Sequence, residues 1–167
     1  MPNFVVFSGD NFPSLLLVLV WLGFMGSVRH AGYGLALLSL GATTIHEACH
    51  LVVGTVLNAK PASLSLWPKR EGKHWVLGAV GFSNLNIWNS AFVAFAPLAM
   101  LPLGWFFFQF WMQPAFRSGA YLSWLFAGYI IACCGFACLP STTDIKVGAI
   151  SAAMYCAIAY GLWRAIF

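Results

Sequence analysis

Leu35 to Leu57 reads LALLSLGATTIHEACHLVVGTVL, an apolar run that carries His46-Glu47-Ala48-Cys49-His50 at its middle. A run of roughly 20 residues suits a membrane-crossing helix. Histidines at i and i+4 leave one face of a helix about 6 Å apart along its axis, close enough to share one metal ion. Glu47 projects about 100° round the helix from His46, so it can meet a water on that ion without binding the ion itself. Two histidines and a glutamate are costly in lipid unless they have a task. The stretch therefore predicts an HExxH zinc site on a membrane-embedded helix.

The composition agrees with a membrane setting. The chain has 167 residues, a length suited to one domain over residues 1–167. It is 61% hydrophobic and 7% charged, against about 25% charged residues in soluble domains. A soluble protein so apolar would expose large sticky patches. The net charge of +4 is small and its basic residues are scattered or confined to one loop, so no nucleic-acid partner is expected; Lys69, Arg70 and Lys73 mark a membrane-surface loop. The N-terminus lacks the positive region of a cleavable signal, so Phe12 to Val28 is expected to stay as a first span. Five cysteines, Cys49, Cys133, Cys134, Cys138 and Cys156, all fall in apolar segments and read as buried thiols rather than metal ligands.

Working outward from the second run, the spacing predicts an all-α polytopic protein of about five transmembrane helices. The runs are Phe12–Val28, Leu35–Leu57, Ile87–Met112 with Pro97 and Pro102 inside it, Tyr121–Leu139, and a fifth from Ile145 to Phe167. A polar insert at about residues 59–85 separates the second from the third. Within it Ala62 to Trp67 alternates with period two, Pro68 to Lys73 is turn chemistry, and His74 to Phe82 returns as a second apolar run. This is a β-hairpin. Its open edges cannot face lipid, so it sits at the interface or lines a wet cavity.

Charge sets the orientation. Five spans put Lys60, Lys69, Arg70, Lys73 and Lys146 on one side and Arg29, Arg117 and Arg164 on the other. The positive-inside bias then places the hairpin in the cytoplasm. Glycines at positions 23, 26, 32, 34 and 41 allow close helix packing, within the chain or in a homo-oligomer.

Only four acidic residues are present: Asp10, Glu47, Glu71 and Asp144. A catalytic zinc takes three protein ligands and a water. His46 and His50 supply two. His30 and His74 qualify by type for the third but lie in connecting segments. Asp144 is the better candidate, because it stands at a span boundary where an unpaired charge is expensive. Ser141, Thr142 and Thr143 precede it and offer hydroxyls to orient it, although the dipole of a helix N-terminus by itself also favours a carboxylate there. Glu47 is then the general base. Asn84, Asn86 and Asn89 cluster at the start of the third run, where they either hold a substrate backbone or satisfy interfacial main chain.

The order of these parts resembles the site-2 protease family of intramembrane zinc metalloproteases. The matching features are HEACH on an early span, a hairpin insert, a span with Ala96-Pro97-Leu98, and an aspartate opening a late helix, together covering residues 35 to 150. The resemblance implies one zinc ion on His46, His50 and Asp144, with Glu47 activating water. It also implies that the Ala62–Trp67 strand, with Ser63, Leu64 and Ser65, docks an extended peptide from a membrane-associated substrate. The late motif departs from the family, reading Ser-Thr-Thr-Asp-Ile-Lys with no glycine after the aspartate, which points to a small, divergent branch. The competing expectation is a non-catalytic membrane scaffold or assembly subunit that keeps a zinc or polar site. A pure scaffold has no need of Glu47.

Overall fold

A computed structural model describes residues 11–27, 33–66, 69–71, 74–76 and 78–167. The chain is mostly helical, with short antiparallel strand pairs between its second and third helices. The helices are α1 (Phe12–Ser27), α2 (Tyr33–Val56), α3 (Ser90–Ala94), α4 (Met100–Phe107), α5 (Gln113–Arg117), α6 (Tyr121–Ala137) and α7 (Thr142–Ile166). The strands are β1 (Pro61–Ser65), β2 (Lys69–Glu71), β3 (His74–Val76) and β4 (Ala79–Phe82). Among the described residues, α7 is the one helix both long and apolar enough to cross a membrane, and α1 and α6 are shorter apolar helices. α2 has 24 residues, but its two histidines and glutamate interrupt its apolar character.

The third apolar run is not one regular helix. It breaks after α3 into a 3-10 turn over Ala96–Ala99, resumes as α4, widens to a π-helical turn over Phe108–Met112 and ends in α5. Pro97 has no N–H to give the helix, and the Leu98 N–H turns to the carbonyl of Phe95 at 3.1 Å.

Contacts group the backbone into two compact units, residues 1–42 with 99–138, and residues 43–98 with 139–167. In the first, α1 packs on α6. Phe108, Met112, Ala127 and Ile131 form its buried core, with Leu15, Leu17 and Val18 of α1 against it. The buried Ser14 hydroxyl accepts a 2.9 Å hydrogen bond from the Trp124 indole, which satisfies two polar groups in an apolar interior. A Cβ at Gly128 would stand 2.9 Å from Leu17 Cδ2, so the glycine sets how near α1 can come.

The second unit carries the hairpin and α7. α2 ends at Val56, and two residues on, Asn58 is left-handed, with a φ of 53°. The Ala59 N–H reaches the Gly54 carbonyl and the Asn58 N–H reaches that of Thr55, a Schellman-type stop that satisfies the last carbonyls. The hairpin consists of two antiparallel pairs, β1 with β4 and β2 with β3. Lys69–Glu71, expected as turn, is strand. The two pairs form separate two-stranded sheets among the described residues. Trp67 lies outside the described residues, as does Lys73. The Phe82 ring packs over Gly54 of α2, tying β4 to the helix that bears the histidines.

Candidate metal centre

His46 and His50 stand one turn apart on α2, and their Nε2 atoms are 3.1 Å from each other. The Nδ1 of His50 lies 2.7 Å from the main-chain oxygen of Val93 in α3. A carbonyl only accepts, so Nδ1 carries the proton and the Nε2 lone pair points to the centre. His50 is 5% exposed, and this bond holds its ring in place.

Asp144 arrives from the first turn of α7. Its Oδ2 is 3.5 Å from His46 Nε2 and its Oδ1 is 3.4 Å from His50 Nε2. A capping box fixes the carboxylate: the Ser141 N–H donates to Asp144 Oδ2 at 2.7 Å, and the Ser141 hydroxyl accepts from the Asp144 N–H at 3.2 Å. One donor atom per residue puts all three ligands within 4.8 Å, because Asp144 turns a different oxygen to each ring. A tetrahedral zinc with bonds of about 2.0–2.1 Å keeps its donors about 3.3–3.4 Å apart. The His46–His50 pair at 3.1 Å matches that edge length, and so does each ring's approach to one carboxylate oxygen, at 3.5 and 3.4 Å; a turn of Asp144 that brings a single oxygen toward both rings would let these residues hold the ion.

Glu47 is 7% exposed and lines the same cavity of about 240 Å³ as the three ligand residues. It is held from the hairpin side. The Val80 main chain hydrogen-bonds to its carboxylate, and Gly78 lies so close that a Cβ there would be 2.9 Å from Glu47 Cγ. The cavity is otherwise mostly apolar, with Phe82, Leu85, Val93 and Val147 among its walls.

The other expected site residues fall elsewhere. Ser63, Leu64 and Ser65 belong to β1 and do not line the cavity; its partner β4 does. Leu64 is 50% exposed. Asn84 and Asn89 form a clasp around the end of α2, and the Asn86 side-chain oxygen accepts from the Trp88 and Asn89 N–H groups at 2.9 and 3.2 Å. The Asn89 amide donates to the carbonyls of Asn84 at 3.0 Å and Leu57 at 3.5 Å, and its oxygen accepts from the Asn86 N–H at 2.8 Å. Asn84 donates to the carbonyl of Asn58 at 2.8 Å. These amides are spent on main chain. His30 and the His74 side chain lie outside the described residues. Gly78, Val80 and Val93 were missed by reading the sequence, because their contributions are a bare α-carbon, an N–H and a carbonyl, which no side-chain motif records.

No protein family, curated protein or solved structure matches this chain. The reading of the site rests on its own chemistry.

Proposed function

We infer that the chain is a multi-pass membrane zinc endopeptidase, similar in plan to the site-2 proteases, that hydrolyses a peptide bond of a membrane-associated substrate. The observation that carries this reading is the convergence of Asp144 on the two HEACH histidines, with Glu47 on the wall of the same cavity. A metal-free polar network accounts for the histidines and the aspartate; it leaves a second, nearly buried carboxylate beside them without a purpose.

Zinc held by His46, His50 and Asp144 supplies Lewis acidity and lowers the pKa of water to about 7. Glu47 takes a proton from the attacking water as its oxygen adds to the peptide carbonyl. It then passes that proton to the departing nitrogen as the C–N bond breaks. The apolar walls exclude competing water and suit an apolar peptide segment. β4 is the better docking edge than β1, since it borders the cavity and has a partner on one side only; a peptide laid along it as an extra strand passes the zinc ligands.

The membrane setting is supported by exposed apolar side chains on many helices, among them Leu19, Phe106, Leu122, Ile150 and Leu162, in a chain with little charge to spare. In this reading the spans are α1, α2, the segment from Ser90 to Arg117, α6 and α7, with the hairpin on the cytoplasmic side. Metal analysis of detergent-purified protein together with Glu47→Gln tests the function. The expected result is one zinc per chain in both proteins and cleavage lowered about 10²–10⁴-fold in the variant. A parent without zinc, or a variant that cleaves normally, overturns it and leaves the scaffold.

A further inference from the structure

Asp144, Gly148, Ser151 and Tyr155 recur at intervals of four, three and four residues, so they share one face of α7. Beyond the ligand itself, each makes a specific contact with the segment from Trp88 to Phe95. The Tyr155 hydroxyl donates to the Trp88 carbonyl at 2.8 Å. The Ser151 hydroxyl, 1% exposed, accepts from the Ala91 N–H at 3.2 Å. Gly148 faces Ala94 and Phe95: a Cβ added there would be 2.7 Å from Ala94 Cβ and 3.0 Å from Phe95 Cε2. The order is antiparallel, rising along α7 as it falls along α3. The same short segment holds His50 through the Val93 carbonyl. One element thus fixes both the histidine and the helix that carries the aspartate.

We propose that Gly148, supported by Ser151, is a positioning residue for the metal centre: its missing side chain sets the α3–α7 separation at which Asp144 completes the ligand triangle. The claim rests on the zinc reading of His46, His50 and Asp144. Ala94 Cβ is attached directly to the backbone and cannot swing aside, so a methyl at 148 drives the two helices apart. Carbon atoms pack at about 3.5–4.0 Å, which makes the required opening close to 1 Å. Asp144 stands one turn before Gly148 on the same face and moves with it. A ligand site tolerates only about 0.5 Å of such error.

The test measures zinc affinity by chelator competition, and the absorption spectrum of the cobalt-substituted protein, on folded material. Gly148→Ala is expected to weaken zinc about 10–100-fold, the scale seen when supporting groups of a metal site are lost, and to alter the cobalt spectrum. Adding Ala94→Gly removes the clashing methyl and is expected to restore most of the affinity and the parent spectrum. Parent-like affinity in Gly148→Ala, or a loss that Ala94→Gly does not relieve, overturns the proposal. Should Gly148→Ala not fold, Ser151→Ala replaces it, with an expected weakening of about fivefold, one hydrogen bond's worth; no change overturns it. A parent that binds no zinc refutes the zinc reading instead. The register is then read without metal, by bimane bridging of His46→Cys and Asp144→Cys in a chain carrying Cys49→Ala and Cys156→Ala. Bridging that is lost on adding Gly148→Ala supports the positioning role, and bridging that persists overturns it.

Discussion

In the proposed mechanism, Gly78→Ala separates the proposed base, Glu47, from the proposed metal site. The added Cβ would lie 2.7 Å from Thr43 Cγ2, 2.9 Å from Glu47 Cγ and 3.0 Å from Glu47 Oε1. Ordinary carbon contacts are about 3.5–4.0 Å, so every one of these must open by about 0.5–1 Å. Thr43 is β-branched within a helix, with few rotamers to escape into. The strain therefore falls on Glu47 and on the chain entering β4. Either response moves the carboxylate relative to the water it deprotonates and stretches its bond to the Val80 main chain. A misplacement near 1 Å costs on the order of 10²-fold in rate, or about 2.7 kcal/mol of barrier. The three atoms nearest to the new methyl belong to Thr43 and Glu47 rather than to His46, His50 or Asp144, so zinc content is expected to stay at one per chain. The assay is cleavage of a fluorogenic apolar peptide by protein in lipid nanodiscs, with metal analysis of the same samples. A drop in kcat of about 10–100-fold at constant zinc is the expected outcome. Thr43→Ser in the same chain removes the tightest contact and should recover part of the loss. Full activity in Gly78→Ala would refute the placement of Glu47 as base under this glycine.

Asp144→Ala removes the proposed third ligand and half of the α7 capping box together; zinc should weaken by more than the roughly 100-fold upper range for supporting groups, and stability should fall by about 1 kcal/mol. Unchanged metal content would mean that another residue is the third ligand. Asn89→Ala deletes a clasp of three hydrogen bonds and should lower stability by about 2–4 kcal/mol while the folded fraction keeps its zinc; a raised KM without loss of Tm would instead return this residue to substrate binding. Val80→Pro removes the main-chain N–H that meets Glu47 and should depress cleavage far more than zinc affinity, whereas equal cleavage would argue against that bond as what seats the proposed base.

Much of this was legible because it is local. Apolar runs long enough for helices announced α1, α2, α6 and α7 to within a few residues, since helix formation there follows from continuous apolar sequence. HEACH fixed which face of α2 bears two imidazoles, by helical geometry alone. The third run was harder. Pro97 was visible, but the 3-10 and π turns on either side of α4 reflect how that segment packs, and periodicity does not encode them. The asparagines were equally ambiguous in sequence, because an amide at a helix start serves main chain or substrate with the same chemistry. Their partners in the structure, the carbonyls of Leu57, Asn58 and Asn84, become visible only once the backbone has folded.

By itself the sequence determined a membrane-suited helical chain, a histidine pair with its glutamate, and Asp144 as the favoured partner of that pair over His30 and His74. The approach of Asp144 to both rings, the tautomer of His50 and the seating of Glu47 against Gly78 belong to the tertiary structure. They depend on a carbonyl, an amide and two missing side chains supplied by distant parts of the chain. Main-chain groups are common to all residues, so their positions become readable only once the backbone has folded.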